Sequence, residues 1–116
     1  MSDIEIWHNP RCSKSRAALE LLKSRGIEPR VVLYLEATPT AERLEQVLAL
    51  LGVEPRDLMR KNEAPYRELG LDNPDLGRGN LVRAMVEHPI LIERPVVIAS
   101  KRAVLARPPE RAVEVL

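Results

Sequence analysis

A chain of 116 residues that is 45% hydrophobic and 30% charged has the length and balance of one folded domain. That excludes a disordered chain, a collagen-like chain and a multi-span membrane protein. A formal charge of +1, from 18 basic and 17 acidic side chains, argues against a strongly basic nucleic-acid binder. Aromatics are limited to Trp7, Tyr34 and Tyr66, with no Phe, so stacking platforms for single strands are nearly absent and the core must be aliphatic.

Residues 3–7 (Asp-Ile-Glu-Ile-Trp) alternate polar and apolar and predict a short strand. His8-Asn9-Pro10-Arg11 breaks the pattern. Ser13 to Arg25 reads as a helix with Ala17, Ala18, Leu21 and Leu22 on one face, ended by Gly26. Val31 to Leu35 reads as a second strand. This β-α-β order implies parallel strands and a right-handed crossover. Thr38-Pro39-Thr40 resembles a helix start, followed by Leu44, Val47, Leu48 and Leu51 at helical spacing, with Gly52 as the stop. Residues 53–77 are punctuated by Pro and Gly, with short helical pieces at Asp57–Met59 and Tyr66–Leu69. A helix over Asn80–Glu87 ends at His88-Pro89. Val96–Ala99 reads as a buried strand, with Ala103–Leu105 as its hairpin partner across Ser100-Lys101. Pro108-Pro109 can open a last helix through Val115. The expected fold is α/β: a thioredoxin-like mixed sheet of about four strands flanked by helices, with a helical insert at roughly 40–88 between βαβ and ββα halves. The whole chain, 1–116, is expected to form one domain.

Cys12 is the single cysteine, so an internal disulfide is impossible. The start Met-Ser-Asp-Ile-Glu has no basic, apolar signal pattern, and no apolar stretch approaches the ~20 residues of a membrane span. A reducing cytoplasm is the expected location. Cys12 stands between a predicted strand end and a predicted helix start, facing the unpaired N–H groups of a first helical turn. Arg11, Lys14 and Arg16 are close by, and no acid occurs from Ile6 to Leu19. Thiols in such settings fall to a pKa of roughly 3.5–7.5, against ~8.5 when free. A buried structural cysteine is the other reading, and the polar neighbours on both sides oppose it. The same turn suits an oxyanion. The chain has 14 Arg and 4 Lys, and a guanidinium fork matches such anions, although a GC-rich genome alone gives such a count. A Cys-x5-Arg phosphatase cradle fails because position 18 is Ala. A Cys-x-x-Cys dithiol fails because position 15 is Ser. Ser15 can donate to the Cys12 thiolate or act as a first-turn capping residue. His8 can polarise the thiolate or bond a backbone carbonyl, and His88 reads as structural. The residues Cys12, His8 and His88 lack metal-ligand spacing, so no metal is expected.

The string His8-Asn9-Pro10-Arg11-Cys12-Ser13-Lys14-Ser15-Arg16 resembles the glutaredoxin-coupled arsenate reductase family. The resemblance continues at Tyr34-Leu35-Glu36, Met59-Arg60-Lys61-Asn62-Glu63, Pro65-Tyr66, Glu68-Leu69-Gly70-Leu71, His88 through Pro95, and Arg107-Pro108. Ser13 and Lys14 stand where the family pattern has Gly and Thr. The resemblance implies a thioredoxin-like core with a helical insert and a nucleophile at Cys12. It implies oxyanion-holding arginines at Arg60, Arg94 and Arg107, accessory roles for His8 and Ser15, and a cis peptide bond at Arg94-Pro95. It also implies arsenate or a similar oxyanion as substrate, glutathione as co-substrate and glutaredoxin as protein partner. No bound cofactor, nucleic acid or membrane is expected. The alternatives on the same residues are a glutathione-linked thiol transferase and a redox-sensing interaction protein of the same fold.

Overall fold

The computed structural model describes residues 3–116, so Met1 and Ser2 of the N-terminal reading lie outside the described residues. It divides into two units, one formed by the segments up to Ala37 and from Arg94 to Leu116, the other by Thr38–Glu93.

In the first unit, strands β1 (Glu5–Trp7), β2 (Arg30–Val32), β3 (Val96–Ile98) and β4 (Ala103–Leu105) form a sheet in the order β2-β1-β3-β4. β1 runs parallel to β2 (Ile6↔Val31) and antiparallel to β3 (Trp7↔Val96), and β3 pairs antiparallel with β4. This is the thioredoxin-like mixed sheet that the element order implies. The alternating residues 3–7 form a strand over Glu5–Trp7, and all three of its residues are buried. Glu5 can be buried because its carboxylate is satisfied: it accepts from Trp7 Nε1 (2.8 Å) and pairs with the Arg30 guanidinium. β2 stops at Val32 rather than Leu35. Its last partner is the His8 N–H, which donates to the Val32 carbonyl (2.9 Å), and Asn9-Pro10 carries the neighbouring chain away. The Leu33 carbonyl then accepts from Glu36 and Ala37 N–H in a turn.

Helix α1 (Ser13–Ser24) buries Ser15, Ala18 and Leu22, which recur at i, i+3 and i+7. The expected face is thereby corrected: Ala17 is exposed and Leu21 half-buried, because the sheet lies one position around the helix from the stripe of apolar residues. The helix ends one residue before Arg25. Gly26 follows at φ 78°, a left-handed conformation that glycine adopts without penalty. Ala18 and Leu22 join Ile4, Ile6, Val97, Val104, Ala106, Ala112 and Val115 in an aliphatic core. The last predicted helix is a 3-10 helix, Pro109–Val115, whose three-residue period brings Ala112 and Val115 onto the same buried face.

In the second unit, α2 (Ala41–Leu51) starts at Thr40, whose Oγ1 accepts the Arg43 N–H (3.1 Å), and stops at Gly52. A 3-10 turn (Pro55–Leu58), α3 (Ala64–Glu68), α4 (Arg78–Glu87) and a second 3-10 turn (Pro89–Leu91) follow. α4 packs against α2 and both 3-10 turns, burying Leu44, Leu48, Leu58, Met85 and Leu91. α4 begins two residues before the predicted Asn80. Among the described residues no helix is long and apolar enough to cross a membrane.

The corrected face of α1 is testable. Leu22→Ala should lower the unfolding free energy by about 2–5 kcal/mol, the cost of a core cavity. Ala17→Lys should change it by no more than about 0.5 kcal/mol, as for other surface substitutions. Urea denaturation of both variants reads the difference, and equal losses would place Ala17 in the core after all.

Candidate active site

The turn that delivers Cys12 begins where β1 ends. Pro10 has no N–H for the sheet ladder and fixes its own φ, so the chain leaves the strand at Asn9. The Asn9 carbonyl accepts the Cys12 N–H (3.0 Å) and Asn9 Oδ1 accepts the Arg11 N–H (3.0 Å). Cys12 is the N-cap of α1, extended at φ −96° and ψ 121°, and its carbonyl accepts the Arg16 N–H (3.0 Å).

The Cys12 thiol is half-buried, and its pKa lies below the ordinary value. Burial alone pushes it up. Hydrogen bonding from the Ser15 and Lys14 N–H groups and from the Arg94 side chain, with the Arg94 charge, outweighs burial and favours the thiolate. This revises the source of the effect. Its first half, the N–H groups of the helix start, is the one the sequence suggests. The positive charge is Arg94, delivered by the approach to β3, rather than the side chains of Arg11, Lys14 and Arg16. Arg16 points back and donates from Nη1 to the Pro10 carbonyl (2.8 Å).

His8 and Ser15 are both buried, and they bond each other: His8 Nδ1 lies 2.6 Å from Ser15 Oγ. Burial lowers the His8 pKa, and the charges of Arg16 and Lys23 lower it further, so the ring is neutral at pH 7. A neutral ring with Nδ1 as acceptor lets the Ser15 hydroxyl donate to it, while the same oxygen accepts the Asn9 N–H (3.1 Å). The Ser15 hydroxyl is thus turned toward His8 and Asn9. The Ser15 N–H is the group of this residue that favours the Cys12 thiolate.

Arg94-Pro95 and Arg107-Pro108 are both cis, the first as the resemblance implies and the second without a sequence signal. Arg107 Nη1 donates to the Arg94 carbonyl (2.9 Å), which ties the two residues together. The structure therefore brings Cys12, Arg94 and Arg107 into one chain of contacts, with His8 and Ser15 beside it. Arg60 belongs to the other unit. There it bonds Glu63 (Nε to Oε2, 3.2 Å) and Glu93 (Nη1 to Oε1, 2.9 Å), held by a Met59↔Ile92 bridge. Asn9 is the site residue that the sequence argument passes over. Its signal was the Asn-Pro dipeptide, which favours a turn. Among the described residues no group of His, Cys, Asp and Glu could hold a metal ion.

Fold and site together define a thioredoxin-like protein whose single cysteine is activated at a helix start. The ArsC family model matches residues 7–115, and the chain belongs to that family. It is 49% identical to the arsenate reductase of Neisseria meningitidis serogroup B over 117 residues, covering 100% of both chains. It is 48% identical to the uncharacterized protein YfgD of Escherichia coli K12, covering 97% of this chain and 96% of that one. The solved structure of an arsenate reductase from Vibrio cholerae superposes with a TM-score of 0.95 at 46% identity, covering 97% of each chain.

Two pH effects follow. Arg94→Ala should raise the midpoint of Cys12 alkylation against pH, and Arg94→Lys should restore part of the shift because it keeps charge without the fork. An unmoved midpoint would remove Arg94 from the activation of the thiol. In the wild type the folded state releases the Cys12 proton at lower pH than the unfolded chain does. Stability relative to Cys12→Ala should therefore rise with pH between the folded midpoint and the unfolded one near ~8.5.

Proposed function

We propose that this chain reduces arsenate to arsenite, with Cys12 as nucleophile and glutathione and glutaredoxin as external thiol donors. The observation that supports this most is the lowered Cys12 thiol, which provides a thiolate nucleophile beside the Arg94 cation. The arsenate reductases among the relatives supply the substrate class. The thiolate attacks arsenic(V), and one arsenate oxygen leaves as water after protonation, giving a Cys12–arsenic bond. Arg94 and Arg107, with Arg60 as the family resemblance assigns it, offset the charge of the oxyanion. The glutathione thiolate then attacks the Cys12 sulfur. The sulfur–sulfur bond forms as the sulfur–arsenic pair returns to arsenic, which leaves as arsenite(III). Reduction consumes two electrons and therefore two thiols. The chain contains one cysteine, so the second thiol comes from outside. Glutaredoxin takes the glutathionyl group by thiol–disulfide exchange and returns Cys12 to the thiol. His8 and Ser15 act on the geometry beside the sulfur rather than on arsenate, and the reducing cytoplasm is the setting in which this chemistry runs.

Arsenate-dependent NADPH oxidation, coupled through glutathione, glutaredoxin and glutathione reductase, should be measurable with the wild type and absent with Cys12→Ser. Intact mass after turnover without glutaredoxin should show the Cys12–glutathione disulfide. Each charge-assisted contact to the oxyanion is worth ~1.5–3 kcal/mol, so replacing one of the three arginines by Ala should cost roughly 10- to 100-fold in turnover. Negligible arsenate turnover alongside efficient reduction of glutathionyl mixed disulfides, indifferent to those arginines, would replace this reading with a thiol transferase.

A further inference from the structure

We propose that Asn9 is a positioning residue for Cys12, its three hydrogen bonds fixing the turn that aims the sulfur into the first turn of α1. The inference rests on the reading of Cys12 as the nucleophile.

Asn9 is 6% exposed, an unusual place for an amide side chain unless its polar atoms are used. All three of its bonds converge on the reactive turn. Oδ1 accepts the Arg11 N–H at 3.0 Å, closing a side-chain turn over Pro10. The carbonyl accepts the Cys12 N–H at 3.0 Å, closing a main-chain turn over the same residues. The N–H donates to Ser15 Oγ at 3.1 Å, the oxygen that also meets His8 Nδ1 at 2.6 Å. One residue thus joins the end of β1, the cysteine and the first turn of α1.

The position calls for Asn in particular. An Asn oxygen mimics the backbone carbonyl one residue earlier, which is why Asn initiates such turns. Asp would reach the same N–H but would place a negative charge beside a thiolate and disfavour it. Ala would leave the Arg11 N–H without its acceptor and let the turn open. The sulfur would then drift from the Ser15 and Lys14 N–H groups that favour its ionised form. The effect on chemistry therefore passes through Cys12, with no contact between Asn9 and substrate required.

The test compares wild type, Asn9→Ala and Asn9→Ser, by iodoacetamide alkylation rate against pH and by thermal melting. Asn9→Ala should fold and move the Cys12 midpoint up by about one unit, which is about tenfold less thiolate well below the midpoint. Asn9→Ser, which can make the same turn more weakly, should recover part of that shift at equal or lower Tm. A folded Asn9→Ala with the wild-type midpoint overturns the proposal. So does a folded Asn9→Ser shifted as far as Asn9→Ala, and so does failure of both to fold, which would make Asn9 a residue of the scaffold alone. If only Asn9→Ala fails to fold, a Ser variant near the wild-type midpoint supports the proposal and a fully shifted one sinks it. Arsenate is absent throughout, so failure of the arsenate reading shows in the coupled assay and leaves this result untouched.

Discussion

The antiparallel pairing of Trp7 with Val96 decides what Cys12 can do. Past Trp7 the chain runs into His8, Asn9 and the cysteine turn. Before Val96, on the adjacent strand, it has just passed Arg94 and Pro95. Antiparallel register therefore carries Arg94 to the sulfur although the two residues lie near opposite ends of the sequence. A slip of one residue would exchange the two buried faces of β3 and take Val97 out of its cluster with Ile6, Ala18 and Leu22, so the aliphatic core enforces the register. The packing of Ile6, Val97 and Val104 against α1 and the placement of Arg94 are one constraint seen from two sides.

That constraint separates two kinds of positive charge. Arg16 and Lys23, carried by α1 itself, act on His8 and with burial keep its ring neutral. Arg94, carried by the sheet, acts on Cys12 and favours its anion. The neutral ring has a consequence for the turn. A protonated His8 would offer two N–H donors and no acceptor, so Ser15 Oγ would accept from both His8 Nδ1 and the Asn9 N–H. The buried Ser15 oxygen lies between a ring nitrogen and a main-chain N–H, and burial with the basic residues of α1 favours the neutral ring there.

Much of this was legible before the structure. Glycine and proline punctuation located nearly every element: Gly26 and Gly52 end α1 and α2 in the left-handed conformation, and Pro10 ends the run of β1. The cysteine at a helix start was readable from the change of pattern between Trp7 and Ser13. The failures have local causes. The predicted second strand stops at Val32 rather than Leu35 because Asn9-Pro10 carries the neighbouring chain away. The helix face was misread by one position because Ala is equally at home on either side of a helix, so Ala17 carried no signal. The role of Arg94 toward the thiol needed a strand pairing between distant segments, which short-range patterns do not encode. Arg11, Lys14 and Arg16 are near Cys12 in sequence, yet side chains at a helix start can point away from the cap, as Arg16 does.

Arg60 differs from Arg94 in its electrostatic setting, which bears on any shared role. Arg94 faces a thiol, and its charge is used to favour an anion there. Arg60 meets two carboxylates, Glu63 and Glu93, while only 24% of its side chain is exposed. The pair of acids holds the guanidinium by two different nitrogens, which sets its plane. The Arg60 guanidinium is thus engaged by carboxylates, whereas Arg94 supplies charge directly beside the sulfur. The three arginines that the family resemblance groups together thus stand in different settings in this chain: Arg94 beside a thiol, Arg107 on the Arg94 carbonyl, Arg60 between two carboxylates.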